Sequence, residues 1–256
     1  MDIRRWTAGL GIGTLVLLGA AAAPLGGLAQ DQTAPSAARL RPADYSPTID
    51  HPLFPLTGMP VKLFVGESQD AQTGEVSKER IELRVSPATE LVAGVVVTVL
   101  EEFGYVDGQL DEHSRDYFAQ GPDGTVYLFG ERVDHFQDGK LVEQPGTWLV
   151  GQDVDAPGVY LPAEIAVDQT FVPEEVPGLV KNVATVVALG QRVTTAFATF
   201  DGCATVRVAD DQGDVVDRSL CPGIGLVREQ VPVGTAGSGE EGEGPEGGIE
   251  LVHLGA

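Results

Sequence analysis

Between positions 49 and 232, short runs of Val, Leu, Thr, Phe and Tyr alternate with polar residues and are broken by turn residues at near-regular intervals. Period-two alternation in β-branched and aromatic residues predicts strands with one buried face. The clearest runs are 61–66 (VKLFVG), 80–86 (RIELRVS), 91–100 (LVAGVVVTVL), 179–188 (LVKNVATVVA), 191–199 (QRVTTAFAT) and 224–232 (IGLVREQVP). Three consecutive valines favour a strand over a buried helix at 91–100. No long amphipathic helix pattern occurs, and 161–166 (LPAEIA) allows at most a short turn.

Asp-Gly pairs at Asp107-Gly108, Asp123-Gly124 and Asp138-Gly139 are spaced for a β-meander. A type I turn over Gly121–Gly124 places Phe118 opposite Tyr127 and Ala119 opposite Val126. A type I′ turn at Asp138-Gly139 places Phe136 opposite Leu141 and His135 opposite Val142. The pattern therefore predicts an all-β (or β-rich α+β) single domain, a curved antiparallel meander sheet or half-barrel.

Flanking segments follow different rules. Arg4 and Arg5 precede an apolar stretch from about Leu10 to Ala23, and Gly27-Leu28-Ala29 offers small residues before a cut at Gln30. That is the three-part export signal, and Pro24, Gly26 and Gly27 end the apolar run before it could span a bilayer. The expected organisation is a signal peptide at 1–29, a flexible leader at 30–48, the β domain at 49–232, and an acidic Gly/Glu-rich disordered tail at 233–256.

Charge narrows the partners. With 16 basic and 38 acidic residues the net charge is −22. A chain this acidic lacks the basic face that nucleic acid or an anionic membrane requires. No segment beyond the signal is apolar enough to cross a membrane as a helix. There are two cysteines, which excludes an all-Cys zinc site. Cys203 and Cys221 flank a hairpin centred on Asp210-Asp211-Gln212-Gly213-Asp214. A loop symmetric about Gln212 sets the two thiols opposite each other, and in an oxidising compartment they form a disulfide.

Catalytic motifs are missing from the sequence. There is no nucleophile elbow, Walker loop, dinucleotide fingerprint or H-E-x-x-H. No catalytic residue and no cofactor are expected. The candidate metal ligands are Asp111 and His113, which share a face on a strand, with His135 beside Asp134 as a further group. The plainer reading is a solvent-facing polar strand edge. Asp210–Asp214 resembles a fragment of a calcium loop but lacks the downstream bidentate Glu. Paired carboxylates such as Glu101-Glu102 and Asp111-Glu112 are too abundant to single out.

The stretch Tyr105–Glu131 (YVDGQLDEHSRDYFAQGPDGTVYLFGE) resembles a block found in exported bacterial proteins without assigned function. Later blocks follow in the order of that group. They include Asp138-Gly139-Lys140 with Gly146-Thr147-Trp148, then Pro157-Gly158 with Pro162-Ala163. Asp201-Gly202-Cys203 and Pro222–Glu229 close the series. Cys221 and Leu128 depart from it, standing where aromatics are expected. The resemblance implies an exported antiparallel β domain and carries no activity. More loosely, the pattern is similar to the half-barrel sheets of periplasmic lipoprotein carriers, a likeness of fold only.

The leading expectation is therefore an exported, soluble, monomeric, non-enzymatic β protein, periplasmic or secreted. Its partner would be a small molecule, a lipid or an envelope protein. One alternative is a carrier holding a hydrophobic ligand in a pocket lined by Phe118, Tyr127, Phe129 and Phe136. The other is a hydrolase using carboxylates or a metal near His113 and His135.

Overall fold

The structure, a computed structural model, describes residues 40–69, 74–232 and 247–255. The expected signal peptide at 1–29 lies outside them. After a short 3-10 turn at Pro42–Asp44 come β1 (Asp50–His51) and β2 (Phe54–Pro55), which pair with each other. The other fifteen strands form one sheet. In chain order they are β3 (Lys62–Gln69), β4 (Val76–Val85), β5 (Glu90–Val92), β6 (Val95–Val106), β7 (Gln109–Gln120), β8 (Val126–Gln137), β9 (Lys140–Glu143), β10 (Trp148–Leu149), β11 (Gly158–Leu161), β12 (Thr170–Val176), β13 (Val180–Thr194), β14 (Thr199–Asp210), β15 (Val215–Cys221), β16 (Gly225–Gln230) and β17 (Gly248–Leu254). Every strand pairing among the described residues is antiparallel, so the all-β single domain stands.

The sheet runs β10-β8-β7-β6-β4-β3-β17-β16-β15-β14-β13-β12, with β5 on β6 and β9 and β11 on β8. It consists of two runs of neighbouring strands, β3 to β11 and β12 to β16. Their hydrogen-bonded junction is β17, held between β16 and β3. At the far ends β11 lies beside β12 without completing a ladder. A Cβ on Gly158 would stand 1.8 Å from the Pro173 carbonyl oxygen. Only glycine permits that approach, and Pro173 has no N–H with which to extend the pairing. The sheet is curved almost to closure but remains open.

Several local expectations need correction. The tail does not extend to the end of the described chain, because Gly248–Leu254 form β17, with Ile249 and Leu251 buried. Residues 233–246 lie outside the described residues. Part of the leader is likewise fixed: Tyr45 packs edge-on against Tyr127 and Phe129, at 5.5 and 5.1 Å, and Ser46 pairs with Gln120. The run 91–100 is two strands around Ala93-Gly94, both at positive φ, so a two-residue hairpin interrupts it. The Gly121–Gly124 turn is one residue longer than expected. Gly121 N–H bonds to Thr125 O at 2.8 Å, and the Asp123 carboxylate accepts from Thr125 N–H at 3.0 Å. Phe118 therefore stands opposite Leu128 and Ala119 opposite Tyr127. At Asp138-Gly139 the Phe136–Leu141 pair forms as expected, but a bulge sets His135 opposite Glu143 rather than Val142.

The β14–β15 hairpin is symmetric about Gln212, as Ala204↔Leu220 and Val208↔Val216 show. The Cys203–Cys221 disulfide closes its open end. At the turn, the Asp210 carboxylate accepts from the backbone N–H of Gln212, Gly213 and Asp214 at 2.8–2.9 Å. That carboxylate caps its own loop, which is the conformational role of an Asx turn.

Candidate functional site: a buried carboxyl layer

Alternation along β6, β7 and β8 sends one set of side chains inward. In three successive cross-strand rows these are Gly104, Glu112 and His135; then Glu102, Ser114 and Val133; then Leu100, Asp116 and Glu131. The third row depends on a bulge in β8. Asp116 pairs with Glu131 but Phe118 pairs with Leu128, so β8 carries one extra residue between them. Gly130 absorbs it at φ +144°, a conformation open to glycine. Without that residue Glu131 would point the other way. With it, Asp116 and Glu131 face each other inside the sheet, each 1% exposed.

The opposing run of strands contributes to the same interior. Glu174 on β12 accepts from the Trp148 indole N–H and from Asn182 Nδ2 at 2.8 Å. Arg218 on β15 donates Nε–H to Glu229 on β16 at 2.7 Å, and both are buried. Tyr160 on β11 is buried between Phe54 and Phe118, its ring 4.7 and 4.8 Å from theirs.

Burial dominates the electrostatics, because a carboxylate removed from water without full compensation favours its neutral form. Burial, with Asp111 nearby, pushes Glu112 up to about 8. Burial raises Glu174 to about 7 against the opposing pull of Trp148, Asn182 and Arg218. Asp116 and Glu131 are raised well above the carboxylate range by burial and then by the carboxyl groups around them. Glu229 is raised by burial, which outweighs its Arg218 partner. Burial works against the Arg218 charge, but Glu229, Tyr160 and Glu102 together hold its pKa above the ordinary guanidinium value. Burial also raises Tyr160. Several polar atoms in this interior have no hydrogen-bond partner: Asp116 Oδ1, Glu131 Oε1, Ser114 Oγ and Asn182 Oδ1.

The residues proposed from sequence fall elsewhere. His113 lies on the outer face of β7, stacked on Phe103 at 4.2 Å, with Nε2 3.6 Å from Glu101. His135 points inward, 3.5 Å from Glu112. The two histidines are thus on opposite faces of the sheet. Asp111 occupies the bulge beside Glu112, close enough to His135 to feel its charge. Among the described residues no three His, Cys, Asp or Glu groups are placed to hold one metal ion.

The four aromatics do not line a common pocket. Phe118 is packed in the interior, Tyr127 and Phe129 lie on the other face of β8 beneath Tyr45, and Phe136 sits at the β8–β9 hairpin. Two shallow clefts among the described residues lie instead around Met59, Lys62 and Ile224. Lys62 is buried there, donating Nζ–H to the carbonyl oxygens of Ile224 and Leu226, and burial lowers it to about 8.

The interior carboxyl layer escaped sequence reasoning. A signal was present in Glu112-x-Ser114-x-Asp116-x-Phe118, where one face carries carboxyls and then a core aromatic. The β8 bulge that brings Glu131 to meet it leaves only Gly130 as a trace.

No protein-family model matches the chain, and no curated protein matches it. Among solved structures, a "putative lipoprotein" from Parabacteroides distasonis ATCC 8503 aligns over 80% of this chain and 98% of its own, at 16% identity and a TM-score of 0.27. Similarity that slight carries no argument. No helix among the described residues is long and apolar enough to cross a membrane.

Proposed function

We propose that this chain is an exported, non-enzymatic β protein of the bacterial envelope or its surroundings that acts by binding through its outer faces. The observation that carries the reading is an interior occupied by the chain's own side chains. Trp148, Phe118, Leu100 and Glu131 are among the largest fully buried groups, and Phe118 packs against Phe54 and Tyr160 instead of lining a cavity. A hydrophobic carrier needs an apolar hollow at that position, and a metal hydrolase needs His113 and His135 on one face.

Export is supported by the Cys203–Cys221 disulfide, since such bonds persist in oxidising compartments. The resemblance of the order of its sequence blocks to that of exported bacterial proteins is in keeping with this reading. Expression of the full chain in a Gram-negative host, followed by fractionation and intact mass, tests the proposal. The expected product starts at Gln30, lies outside the cytoplasm and lacks two hydrogens relative to its reduced form. A cytoplasmic product retaining Met1 with both thiols free would overturn it.

A further inference from the structure

We propose that the interior carboxyl layer is a proton-held clasp between the two runs of strands, so that the domain is closed in acid, loosens as the medium turns alkaline, and is built for acidic surroundings. The geometry carries this. Six carboxyl groups, those of Glu102, Glu112, Asp116, Glu131, Glu174 and Glu229, are buried in this interior, and the Arg218 guanidinium stands near enough to act on Glu102, Asp116, Glu174 and Glu229. The other buried cation, Lys62, is turned to the backbone oxygens of Ile224 and Leu226.

So many carboxylates cannot all be ionised in an interior where each isolated charge carries a large desolvation cost. Asp116 and Glu131 make the point locally. They are direct cross-strand partners, and Asp116 Oδ1 and Glu131 Oε1 each lack a donor. Two ionised groups so placed repel, whereas a proton on one supplies the O–H donor the other lacks.

The groups around this pair come from both runs of strands. On its own side are Glu102 from β6, Glu112 from β7, with Asp111 in the adjoining bulge, and His135 from β8. Tyr160 from β11, of the same run, and Glu174 from β12, of the other, lie beside it, the latter bonded to Trp148 of β10 and Asn182 of β13. Beyond lie Arg218 and Glu229 of β15 and β16, with Glu79 of β4 against Glu229. Of these, His135 and Arg218 alone are bases.

The direction of the pH effect follows from the raised carboxyl values. A carboxyl whose pKa is raised by folding gives its full stabilisation below the unfolded value of about 4.5 and loses it as pH climbs through the folded value. Glu174 and Glu112 set that loss at about 7 and about 8, and Asp116 and Glu131 extend it upward.

Thermal unfolding of the signal-free chain, followed from about pH 5 to about pH 9 at fixed ionic strength with chelator present, tests the clasp. The expected Tm falls steadily over that range, by about 10 °C or more in total. Infrared spectra at neutral pH are expected to keep the carbonyl band of protonated carboxyl groups. Glu131→Gln, which needs no proton, should raise Tm at the alkaline end and flatten the profile while leaving the acid end nearly unchanged. Asp116→Asn serves if that variant does not fold. A Tm that is flat or rises from acid to alkali, or no protonated carboxyl band at neutral pH, would overturn the proposal. So would calcium or magnesium restoring the acid-end Tm at alkaline pH without protons, which would make the layer a cation site.

Discussion

Removing the Cys203–Cys221 bond has a calculable consequence. The bond joins residues 18 apart in sequence, at the end of the β14–β15 hairpin farthest from its turn. It therefore closes the whole hairpin as one loop in the unfolded chain, and loop-closure entropy for that length amounts to about 3 kcal/mol. Both sulfurs are buried, so Cys203→Ala with Cys221→Ala exchanges them for small apolar groups and leaves no stranded hydroxyl. For a domain of this size each kcal/mol moves Tm by about 2–4 °C, which gives a drop of about 6–12 °C. Urea unfolding of the oxidised protein and of the double variant measures it directly. The m-value should rise slightly in the double variant, whose unfolded chain exposes more surface, while the midpoint falls. Burial adds a second expectation: a phosphine reductant should leave the bond intact in the native protein and break it only once denaturant is added, as read by alkylation and mass. Equal stability of the oxidised protein and the double variant, within about 0.5 kcal/mol, would refute the entropic account.

Other outcomes follow from single contacts. Leu251→Ala empties a fully buried site on β17 opposite Phe64 and should cost about 2–5 kcal/mol in a chemical melt. Arg218→Ala leaves Glu229 buried without its guanidinium, and a loss of about 3–5 kcal/mol is expected near neutral pH, smaller in acid where Glu229 is protonated. Gly158→Ala drives a methyl group into the Pro173 carbonyl and should part β11 from β12, seen as faster hydrogen exchange confined to those strands. His113→Ala removes an outer-face stack on Phe103 and a contact with Glu101, so its cost should stay within about 1 kcal/mol.

The strand content, the antiparallel order and the cysteine pairing were legible because each rests on a local rule. Alternation gives the strands, Asp-Gly gives turns, and symmetry about Gln212 gives the register that sets Cys203 against Cys221. What failed was parity. One extra residue in the Gly121–Thr125 loop shifted Phe118 from Tyr127 to Leu128. One bulge at Gly130 carried Glu131 to the inner face and, in the same register, set His113 opposite Asp134, so that His135 faces the other way. A strand's side-chain period is two, so each insertion inverts everything beyond it. The functional candidates depended on which residues share a face, and so were lost where the strands themselves were found. β17 was missed for another reason: Ile249 and Leu251 alternate with polar neighbours, but they follow a Gly/Glu-rich stretch that draws the eye to composition.

The position of β17 governs when the molecule can become itself. Synthesis delivers residues 248–254 after every other strand among the described residues. Until they arrive, β3 and β16 each present a bare row of N–H and C=O groups, the kind of border that invites pairing with a neighbouring chain. The emerging polypeptide is thus unable to join its two runs of strands prematurely, and its aggregation hazard is greatest before β17 takes its place between β16 and β3.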